Sequence, residues 1–404
     1  MRAMNTADAL TAAGHRVVVW SSAFSHQERR HRTKKVESLT VSELLEYRLI
    51  PSPGYERNVG VPRLWDHAWL ALNLRRALRT SQAPDACLVG FPPIETAAVM
   101  ARWLARRGVP CLIDVKDQWP VPFLDAFPSA LRGPARLILD PYYRLARQAL
   151  RDATALSAMS ESFLHWATDF SGRTRGPADI VVHFASRPPR LSDADIERAG
   201  KWWDDLGVLE NGANFCFVGT HTSSFDFRSV VEAAAALARS HPHAQIVMCG
   251  DGEDTLAWQQ EASGLRNVRF AGRIDQAEFR VLGKRCFAFL APYRNVRGFD
   301  ISIPNKVVDA MAMGLPVVAP LRGEVEALIT REGVGLTYSE GSGASLHQRL
   351  SQLLDDEPSR LRMRAAATRL YETRFTYEKV YGELVEHLEA LATGTLGRLV
   401  PHER

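Results

Sequence analysis

The sequence lacks any long apolar segment. No stretch approaches the roughly 18 to 20 uninterrupted apolar residues that a transmembrane helix needs, and the amino terminus has no apolar core typical of a signal peptide. Cysteine is also scarce: the 404 residues include 5 cysteines, none in a C-x-x-C pair, which excludes a zinc or disulfide framework. We therefore expect a folded, cytoplasmic protein with reduced cysteines in its core, without a bound metal ion or cofactor.

Charge of one sign does not dominate the chain, because the formal net charge is only +4. Residues 1–180 nevertheless contain 24 Lys and Arg against 17 Asp and Glu, a balance of +7, and the remainder carries −3. A basic half favours a nucleic acid or an anionic membrane surface as a partner. Zinc-finger spacings and an RNA-recognition consensus are both missing, so we predict peripheral contact with the inner face of the membrane and no nucleic-acid partner.

Short apolar runs alternate with helix-like segments in both halves. The β-rich runs occupy 15–20, 85–90, 109–115, 214–219, 244–250, 267–272, 286–292 and 315–320. This alternation predicts an α/β protein with two Rossmann-like domains, each a parallel sheet with helices on both faces. We place the domains at 1–186 and 187–374, with a carboxyl-terminal helix and tail in 375–404 that returns to the first domain. Ligands are expected beyond the carboxyl ends of the strands, in the cleft between domains.

The amino-terminal segment 3–20 reads as a helix followed by a strand, so the sequence opens on the helix of a βαβ unit. The strand that should precede this helix is not found in the sequence. Its loss would remove a core element and a loop facing the ligand site. The hypothesis is that Met1 or Met4 is a misassigned or truncated start, and mass spectrometry of the native protein tests it.

One segment, SIPNKVVDAMAMGLPVVAP at 302–320, carries the clearest chemistry. Pro304 fixes the backbone at a helix start, where free amide groups favour an anion. Lys306 and Asp309 are three residues apart and therefore share a helix face. A cation there suits a phosphate, and a carboxylate suits sugar hydroxyls. The alternative is an ordinary amphipathic helix with a solvated lysine.

This segment follows FVG at 217–219 and CGDGE at 249–253, and the three together resemble the carboxyl-terminal domain of GT-B glycosyltransferases, in particular glycosyltransferase family 4. The resemblance covers nearly the whole chain, and the D-x-W-P sequence at Asp117 is similar to members that build surface polysaccharides. It implies transfer from a nucleotide sugar, with a UDP-sugar expected, to a lipid-linked or polysaccharide acceptor. It also implies a retaining, metal-independent mechanism.

The resemblance implies roles for individual residues. Asp309 corresponds to the carboxylate that binds the nucleotide ribose, and Lys306 lies where that neighbourhood contacts the diphosphate. The other residues expected to bind the donor are Gly219, His221, Gly250, Asp251, Gly252, Arg273, Ile274, Gly298, Phe299, Asp300 and Pro304. Among them, the 272–274 backbone is expected to hold the base, and the 298–300 amides the donor sugar.

The chain departs from the family pattern at two places. The family's first glutamate, eight positions before the second carboxylate, is replaced by Ile301. The Arg and Lys that often follow FVG are also missing. His221 is therefore the candidate phosphate ligand after this strand, against the alternative of a surface histidine without that role.

Two features of the first half stay open between a functional and a structural interpretation. Asp117 binds the acceptor or acts as a base, or else it caps the helix that follows. The helix predicted over 63–79 carries Trp65, Trp69 and Leu72 on one face beside arginines. It is either an interfacial helix or a buried domain helix.

These residues predict a hexosyl- or N-acetylhexosaminyl-type glycosyltransferase in cell-surface glycan biosynthesis, with Lys306 and Asp117 as the catalytic candidates. A nucleotide-sugar epimerase of the same fold is one alternative, and it would release epimerised nucleotide sugar without any acceptor. A catalytically degenerate GT-B subunit is the other, and it would bind nucleotide tightly without turnover.

Overall fold

The chain folds into two compact units, which we call unit 1 and unit 2. Unit 1 comprises Met1–His183 and Glu378–Arg404, and unit 2 comprises Phe184–Tyr377. Each unit alternates strands with helices around parallel sheets, so the predicted α/β class is confirmed. The computed structural model describes residues 2–26, 28–56, 60–125, 127–296 and 298–396.

Unit 1 begins with a helix and continues through nine strands of the described chain. In chain order its elements are α1 (Arg2–Ala12), β1 (Val17–Ser22), β2 (Phe24–Ser25), β3 (Arg30–His31), β4 (Glu37–Ser42), β5 (Leu45–Ile50), α2 (Val61–Ala77), β6 (Cys87–Phe91), α3 (Ile94–Ala105), β7 (Cys111–Val115), α4 (Val121–Asp125), α5 (Arg132–Asp152), β8 (Ala155–Ala158), α6 (Glu161–Ser171) and β9 (Ile180–Val181).

The strands of unit 1 form two main sheets in the described residues. The first has the order β1–β5–β4, with β5 parallel to β1 and antiparallel to β4. The second has the order β6–β7–β8–β9 and is parallel throughout. β7 is buried along its whole length, whereas every residue of the edge strand β1 is half-buried. No described strand pairs with the second edge of β1 or of β6.

Unit 2 has a longer and more regular alternation. In chain order its elements are α7 (Asp193–Asp205), β10 (Ala213–Val218), α8 (Phe227–Ser240), β11 (Ala244–Cys249), α9 (Thr255–Glu261), β12 (Val268–Gly272), α10 (Gln276–Arg285), β13 (Cys286–Leu290), α11 (Asn305–Ala312), β14 (Val317–Ala319), α12 (Glu324–Glu332), β15 (Gly335–Thr337), α13 (Gly343–Asp355) and α14 (Glu357–Arg374). A final helix, α15 (Tyr377–Thr393), follows.

The six strands of unit 2 form one parallel sheet in the order β12–β11–β10–β13–β14–β15. Its central strands are apolar on both faces, with Phe215, Phe217, Met248 and Phe289 fully buried. Helices must therefore cover both faces, as sequences of this kind require. The predicted second Rossmann-like fold is confirmed.

Helix α15 belongs to unit 1, although it follows unit 2 in the sequence. Asn5 donates a hydrogen bond from Nδ2 to the hydroxyl oxygen of Tyr381 over 3.1 Å. His387 Nε2 lies 2.9 Å from the carbonyl oxygen of Ala178. The helix thus contacts both α1 and the segment before β9. Across the part of the chain that the structure describes, each helix is too short or too polar to span a bilayer.

Candidate functional site

The strand order of unit 2 fixes where a ligand would bind. Parallel sheets of this kind bind ligands beyond the carboxyl ends of their strands, at the point where the chain order reverses. In unit 2 that point lies between β10 and β13, because β11 and β12 continue on one side and β14 and β15 on the other. The loops after β10, β11 and β13 contain most of the residues that the sequence predicts to bind the donor.

Lys306 lies at this point. Pro304 is the residue before α11 and has an extended backbone, φ −62° and ψ 148°, so the helix begins at Asn305 and Lys306 falls in its first turn. The Lys306 side chain is stacked against Gly219 at the end of β10, where a Cβ atom would collide with Nζ. Nζ also lies 5.9 Å from the ring centroids of Phe217 and Phe225. Burial lowers the pKa of Lys306.

Asp309 follows one turn later on the same helix. It is half-buried, and burial raises the pKa of its carboxyl to about 6, although the nearby charge of Lys306 works in the opposite direction. Burial raises the pKa of the Tyr293 hydroxyl, and the nearby charge of Asp309 raises it further. Within the described residues neither Lys306 nor Asp309 has an ion-pair partner within 4.0 Å. One helix face therefore offers a cation and a carboxylate that are both desolvated and both unpaired.

Glycines let the loops after β10 and β11 pack backbone to backbone. Gly250 has φ +121°, and a Cβ there would collide with the carbonyl oxygen of Gly219. A Cβ on Gly252 would meet the carbonyl oxygen of His221. The Gly219 amide donates to the Cys249 carbonyl oxygen over 2.9 Å, and the His221 amide to that of Asp251 over 2.9 Å. The two loops are thus held as one surface beside Lys306.

His221 is not a surface residue, so that alternative is wrong. The side chain is fully buried, and its ring stacks on Trp258 with centroids 4.6 Å apart. Nδ1 lies 2.9 Å from the Thr255 hydroxyl oxygen, while burial lowers the pKa of the ring. Phe227 also stacks on Trp258, so the His221 ring lies within an aromatic cluster of unit 2. His221 holds the two glycine loops together, and its role as a phosphate ligand stays a prediction.

The remaining predicted donor residues lie on two further loops. Arg273, after β12, pairs with Asp251 after β11, with Nε 2.7 Å from Oδ2, and both side chains are exposed. Ile274 beside it is half-buried. In the loop after β13, the Gly298 amide donates to Oδ1 of Asp300 over 3.0 Å, so the amide expected to face the donor sugar is engaged here.

The same loop is anchored near the helix that carries Lys306. Phe299 packs against Tyr293, with ring centroids 4.9 Å apart. The carbonyl oxygen of Asp300 accepts a hydrogen bond from the amide of Glu324 over 2.8 Å. The structure thus brings the 298–300 loop, the Tyr293 ring and Asp309 to one end of the unit 2 sheet.

Asp117 lies in unit 1, just after β7. Its carboxylate accepts a hydrogen bond from the Gln118 amide over 2.8 Å, and partial desolvation by the protein around it raises its pKa. The amides of Val121 and Phe123 donate instead to the carbonyl oxygens of Gln118 and Pro120. Asp117 therefore does not cap the helix that follows, and that alternative is wrong.

Helix α2 carries the predicted apolar stripe on its solvent side. Trp65 is 60% exposed and Trp69 is 36% exposed, and Leu72 is also exposed. The buried face consists of Asp66, His67, Leu70, Ala71 and Leu74. The interpretation that this stripe is the buried face of the helix is wrong. Helix α2 has apolar residues on two faces, and it packs against the rest of unit 1 by the face that contains Leu70 and Leu74.

Sequence reasoning missed a group of buried polar side chains in unit 1. His67, on α2, faces Glu95 in the first turn of α3, and Tyr142 on α5 lies near the same carboxylate. A buried histidine one residue after an aspartate inside an apolar helix is a weak signal. Nothing in the sequence links these residues, which lie on three separate helices.

Comparison with known proteins gives this geometry a family. The profile described as "Glycosyl transferase 4-like domain" matches residues 1–183, and the profile "Glycosyl transferases group 1" matches residues 212–356. The chain belongs to the family 4-type glycosyltransferases and has the GT-B fold. The resemblance inferred from the 302–320 segment is confirmed at this level.

Two relatives of this chain are matched over part of their length. It is 26% identical to a phosphatidyl-myo-inositol mannosyltransferase of Mycobacterium leprae over 191 residues, which are 46% of this chain and 49% of that one. It is 31% identical to the amylovoran biosynthesis glycosyltransferase AmsK of Erwinia amylovora over 126 residues, 31% of each protein. The chain thus spans half or less of these relatives.

Solved structures match over more of this chain. A sucrose-phosphate synthase from Thermosynechococcus elongatus has a TM-score of 0.67 at 15% identity and covers 96% of this chain and 92% of its own. Anabaena HepE, in complex with UDP and glucose, has a TM-score of 0.62 at 16% identity, with 96% and 95% covered. WaaG, involved in lipopolysaccharide biosynthesis, has a TM-score of 0.60 at 14% identity, with 95% and 94% covered. At these identities the likeness shows the fold.

Proposed function

We propose that this protein transfers a hexose or N-acetylhexosamine from a nucleotide sugar to a lipid-linked or polysaccharide acceptor. The observation that carries the proposal is the pair of unpaired, desolvated charges on one face of α11, Lys306 and Asp309, at the reversal point of the unit 2 sheet. A nucleoside diphosphate has complementary chemistry, with anionic oxygens for the lysine and ribose hydroxyls for the carboxylate.

In this mechanism Asp309 accepts hydrogen bonds from the ribose, and Lys306 faces the diphosphate. As the bond from sugar to phosphate breaks, negative charge grows on the departing diphosphate. Lys306 is already desolvated and fixed against Gly219, so its charge needs no rearrangement to stabilise that change. One preorganised group of this kind contributes about 3 to 4 kcal/mol. We therefore propose a retaining, metal-independent transfer in which Lys306 and the α11 amides neutralise the leaving group.

A UDP-sugar is the donor we propose first. Support comes from Anabaena HepE, whose structures contain UDP, UDP and glucose, or UDP-glucose. The loops after β11 and β12 meet at Asp251 and Arg273, where the base would lie. For the acceptor, support comes from the two relatives named for mannosyl transfer to phosphatidyl-myo-inositol and for amylovoran biosynthesis. Asp117, with its raised pKa, is proposed to contact this acceptor.

We also propose that unit 1 makes peripheral contact with an anionic membrane at the inner face. The exposed Trp65, Trp69 and Leu72 of α2 are followed by exposed Arg75 and Arg76. Tryptophans beside arginines are typical of interfacial helices. On α5, Leu137 and Ile138 are each 79% exposed, next to exposed Arg136.

The test is binding and hydrolysis of a panel of UDP-, GDP- and dTDP-sugars by the wild-type chain and by Lys306→Ala. Lys284→Ala is the matched control, since Lys284 is an exposed lysine of the same unit. We expect one nucleotide to bind selectively, hydrolysis to fall about a hundredfold or more in Lys306→Ala, and the control to match wild type. Less than a tenfold loss would overturn the role of Lys306.

A second function, nucleotide binding without turnover, is favoured by two observations. The Gly298 amide is engaged by Asp300, and Ile301 stands where the family has its first glutamate. A degenerate subunit would bind nucleotide in wild type and lose that binding in Lys306→Ala, with no product formed from any donor.

A further inference from the structure

Three helices of unit 1 bring polar atoms together inside the protein without satisfying them. His67 Nδ1, Glu95 Oε2 and the Tyr142 hydroxyl are all buried, and among the described residues none of these atoms has a partner with the distance and angles of a well-formed hydrogen bond. His67 is 4% exposed, and its Nδ1 lies 3.7 Å from Glu95 Oε2, just beyond hydrogen-bond distance. The Tyr142 hydroxyl is close enough to Glu95 to favour the ionised carboxylate. His67 and Tyr142 thus both lie near the Glu95 carboxylate without a well-formed hydrogen bond to it.

This arrangement is costly in the free protein. A buried polar atom without a hydrogen-bond partner lowers the stability of the fold, because it has lost its hydrogen bonds to water. Burial raises the pKa of Glu95 and lowers that of His67 to about 4, so both groups are shifted toward their neutral forms. In unliganded sites such contacts are often long and tighten only when the ligand is bound. The cluster thus has the properties of a ligand-binding site.

Glu95 links the buried cluster to the surface. Its side chain is 13% exposed, in the first turn of α3 directly after β6. Asp117 follows the neighbouring strand β7, and Phe91 at the end of β6 is in register with Val115 at the end of β7. The Lys116 amide donates to the carbonyl oxygen of Phe91 over 2.9 Å. Two carboxylates with raised pKa values therefore follow adjacent parallel strands at the same end of the sheet.

The charges around this place favour a neutral ligand rich in hydroxyl groups. An anionic phosphate would face the carboxylates of Glu95 and Asp117. Of the nearby cations, Arg2 pairs with Asp114 at 3.0 Å, and Lys116 lies 3.6 Å from the same carboxylate. Arg63 of α2 lies over the Trp119 ring, with Cζ 4.5 Å from its centroid, and its charge acts on both Asp117 and His67. One such cation beside two carboxylates leaves no surplus of positive charge for a phosphate. Carboxylates accept hydrogen bonds from hydroxyls, whereas imidazole and phenol groups can donate or accept. Sugar hydroxyls fit this set of groups.

We propose that Glu95 and Asp117 bind hydroxyl groups of a sugar portion of the acceptor, and that His67 and Tyr142 are positioning residues that hold Glu95. The assignment of this ligand as the acceptor rests on the proposed function. Binding of a free sugar at Glu95 does not rest on it. The role of each residue can therefore be tested without knowing the natural acceptor.

The experiment uses the full chain and measures saturation transfer by NMR to free glucose, mannose, N-acetylglucosamine and myo-inositol, with inorganic phosphate followed in parallel. Wild type is compared with Glu95→Gln, which keeps the size of the side chain. Glu161→Gln is the matched control, because Glu161 is the first-turn glutamate of α6 and is exposed. UDP-glucose binding by each variant reports separately on unit 2.

We expect at least one sugar to bind to wild type and to Glu161→Gln, and its affinity to fall about tenfold or more in Glu95→Gln, consistent with loss of a charge-assisted hydrogen bond. UDP-glucose binding is expected to be unchanged. No binding of any of these sugars to wild type, equal binding by Glu95→Gln, or phosphate binding that depends on Glu95 would overturn the proposal. If wild type failed to bind UDP-glucose, the proposed function would be overturned, and the sugar site at Glu95 would not be affected by that result.

The positioning roles need a readout that a purely structural role would not change. In wild type, sugar binding should weaken as the pH falls through the raised pKa values of Glu95 and Asp117. The other charged or titratable groups near the cluster are Arg63, Asp66 and His26. The pH at which half of the binding is lost should shift in His67→Ala and Tyr142→Phe, because the surroundings of the Glu95 carboxylate change. In His67→Gln this pH should return part of the way to the wild-type value. Variants that remain folded and keep the wild-type midpoint would contradict the positioning roles.

Discussion

The two units place their polar side chains in different ways. In unit 2, Lys306 and Asp309 lie one turn apart on a single helix, and neither needs another element to share a face. In unit 1, His67, Glu95 and Tyr142 come from three helices and meet only when the unit folds. A site on one helix can be recognised in a short segment of sequence. A site assembled from several helices cannot, because it depends on how those helices pack together.

The units also differ in how their sites depend on the surrounding backbone. The unit 2 site rests on glycine loops that a single Cβ would disrupt, whereas the unit 1 site rests on buried side chains that titrate. We therefore expect backbone substitutions to damage the first site and changes in pH to damage the second.

The largest expected effect is that of Gly250→Ala in unit 2. The added Cβ would collide with the carbonyl oxygen of Gly219, and φ +121° is a strained conformation for alanine. We expect a loss of about 3 kcal/mol or more in the free energy of unfolding, together with loss of nucleotide binding. Urea unfolding and UDP titration measure the two effects. Gly264→Ala is the control, since nothing lies within 4 Å of a Cβ there.

The next largest effect concerns pH and unit 1. Burial lowers the pKa of His67 from 6.5 to about 4, so the unfolded chain takes up a proton that the folded chain refuses. This contribution to stability is present above pH 6.5 and is lost as the pH falls toward 4, on the order of 3 kcal/mol in all. In His67→Gln that part of the pH dependence should vanish. Urea unfolding of both proteins across this range would contradict the account if the two curves stayed parallel.

Asp309→Asn separates stability from function in unit 2. Burial raises the pKa of Asp309 from 3.8 to about 6, so the ionised carboxylate destabilises the fold as the pH rises through this interval. Asparagine should therefore stabilise the protein by about 1 to 2 kcal/mol at neutral pH and have no such effect below the unfolded pKa. Nucleotide affinity should fall about tenfold. Equal or lower stability at neutral pH would show that the carboxylate has an unseen partner.

The smallest expected effect is on membrane contact by α2. Trp65→Ala with Trp69→Ala should reduce sedimentation with anionic vesicles several-fold and leave UDP binding unchanged, because both side chains are exposed. Vesicles of neutral phosphatidylcholine are the control for the arginines. Unchanged sedimentation of the double variant would remove α2 from the proposed membrane surface.

Much of the fold could be predicted from the sequence where apolar runs are uninterrupted. The run 214–219 predicts β10, observed at Ala213–Val218, and the run 244–250 predicts β11, observed at Ala244–Cys249. β5 was missed because charged Glu46 and Arg48 interrupt its apolar residues. They pair with each other at 2.8 Å and are half-buried. Only Leu45, Leu49 and Ile50 of this strand are buried.

In the candidate sites, too, the sequence predicted only the features that depend on neighbouring residues. The position of Lys306 and Asp309 on one helix face followed from their spacing and is observed. The environment of His221 did not follow, because its burial depends on Trp258, which is distant in sequence. The exposure of the α2 stripe also depended on which face met the sheet. For His67 the local sequence gave only a weak signal, and for Glu95 it gave none.

The most direct test of the account is UDP-glucose hydrolysis by wild type, Lys306→Ala and Glu95→Gln in the absence of any acceptor. We propose that the donor binds to unit 2 and that the sugar acceptor binds at Glu95 in unit 1. We therefore expect hydrolysis to fall about a hundredfold or more in Lys306→Ala and to stay at the wild-type rate in Glu95→Gln. Equal rates for wild type and Lys306→Ala, or loss of hydrolysis in a folded Glu95→Gln protein, would contradict this division.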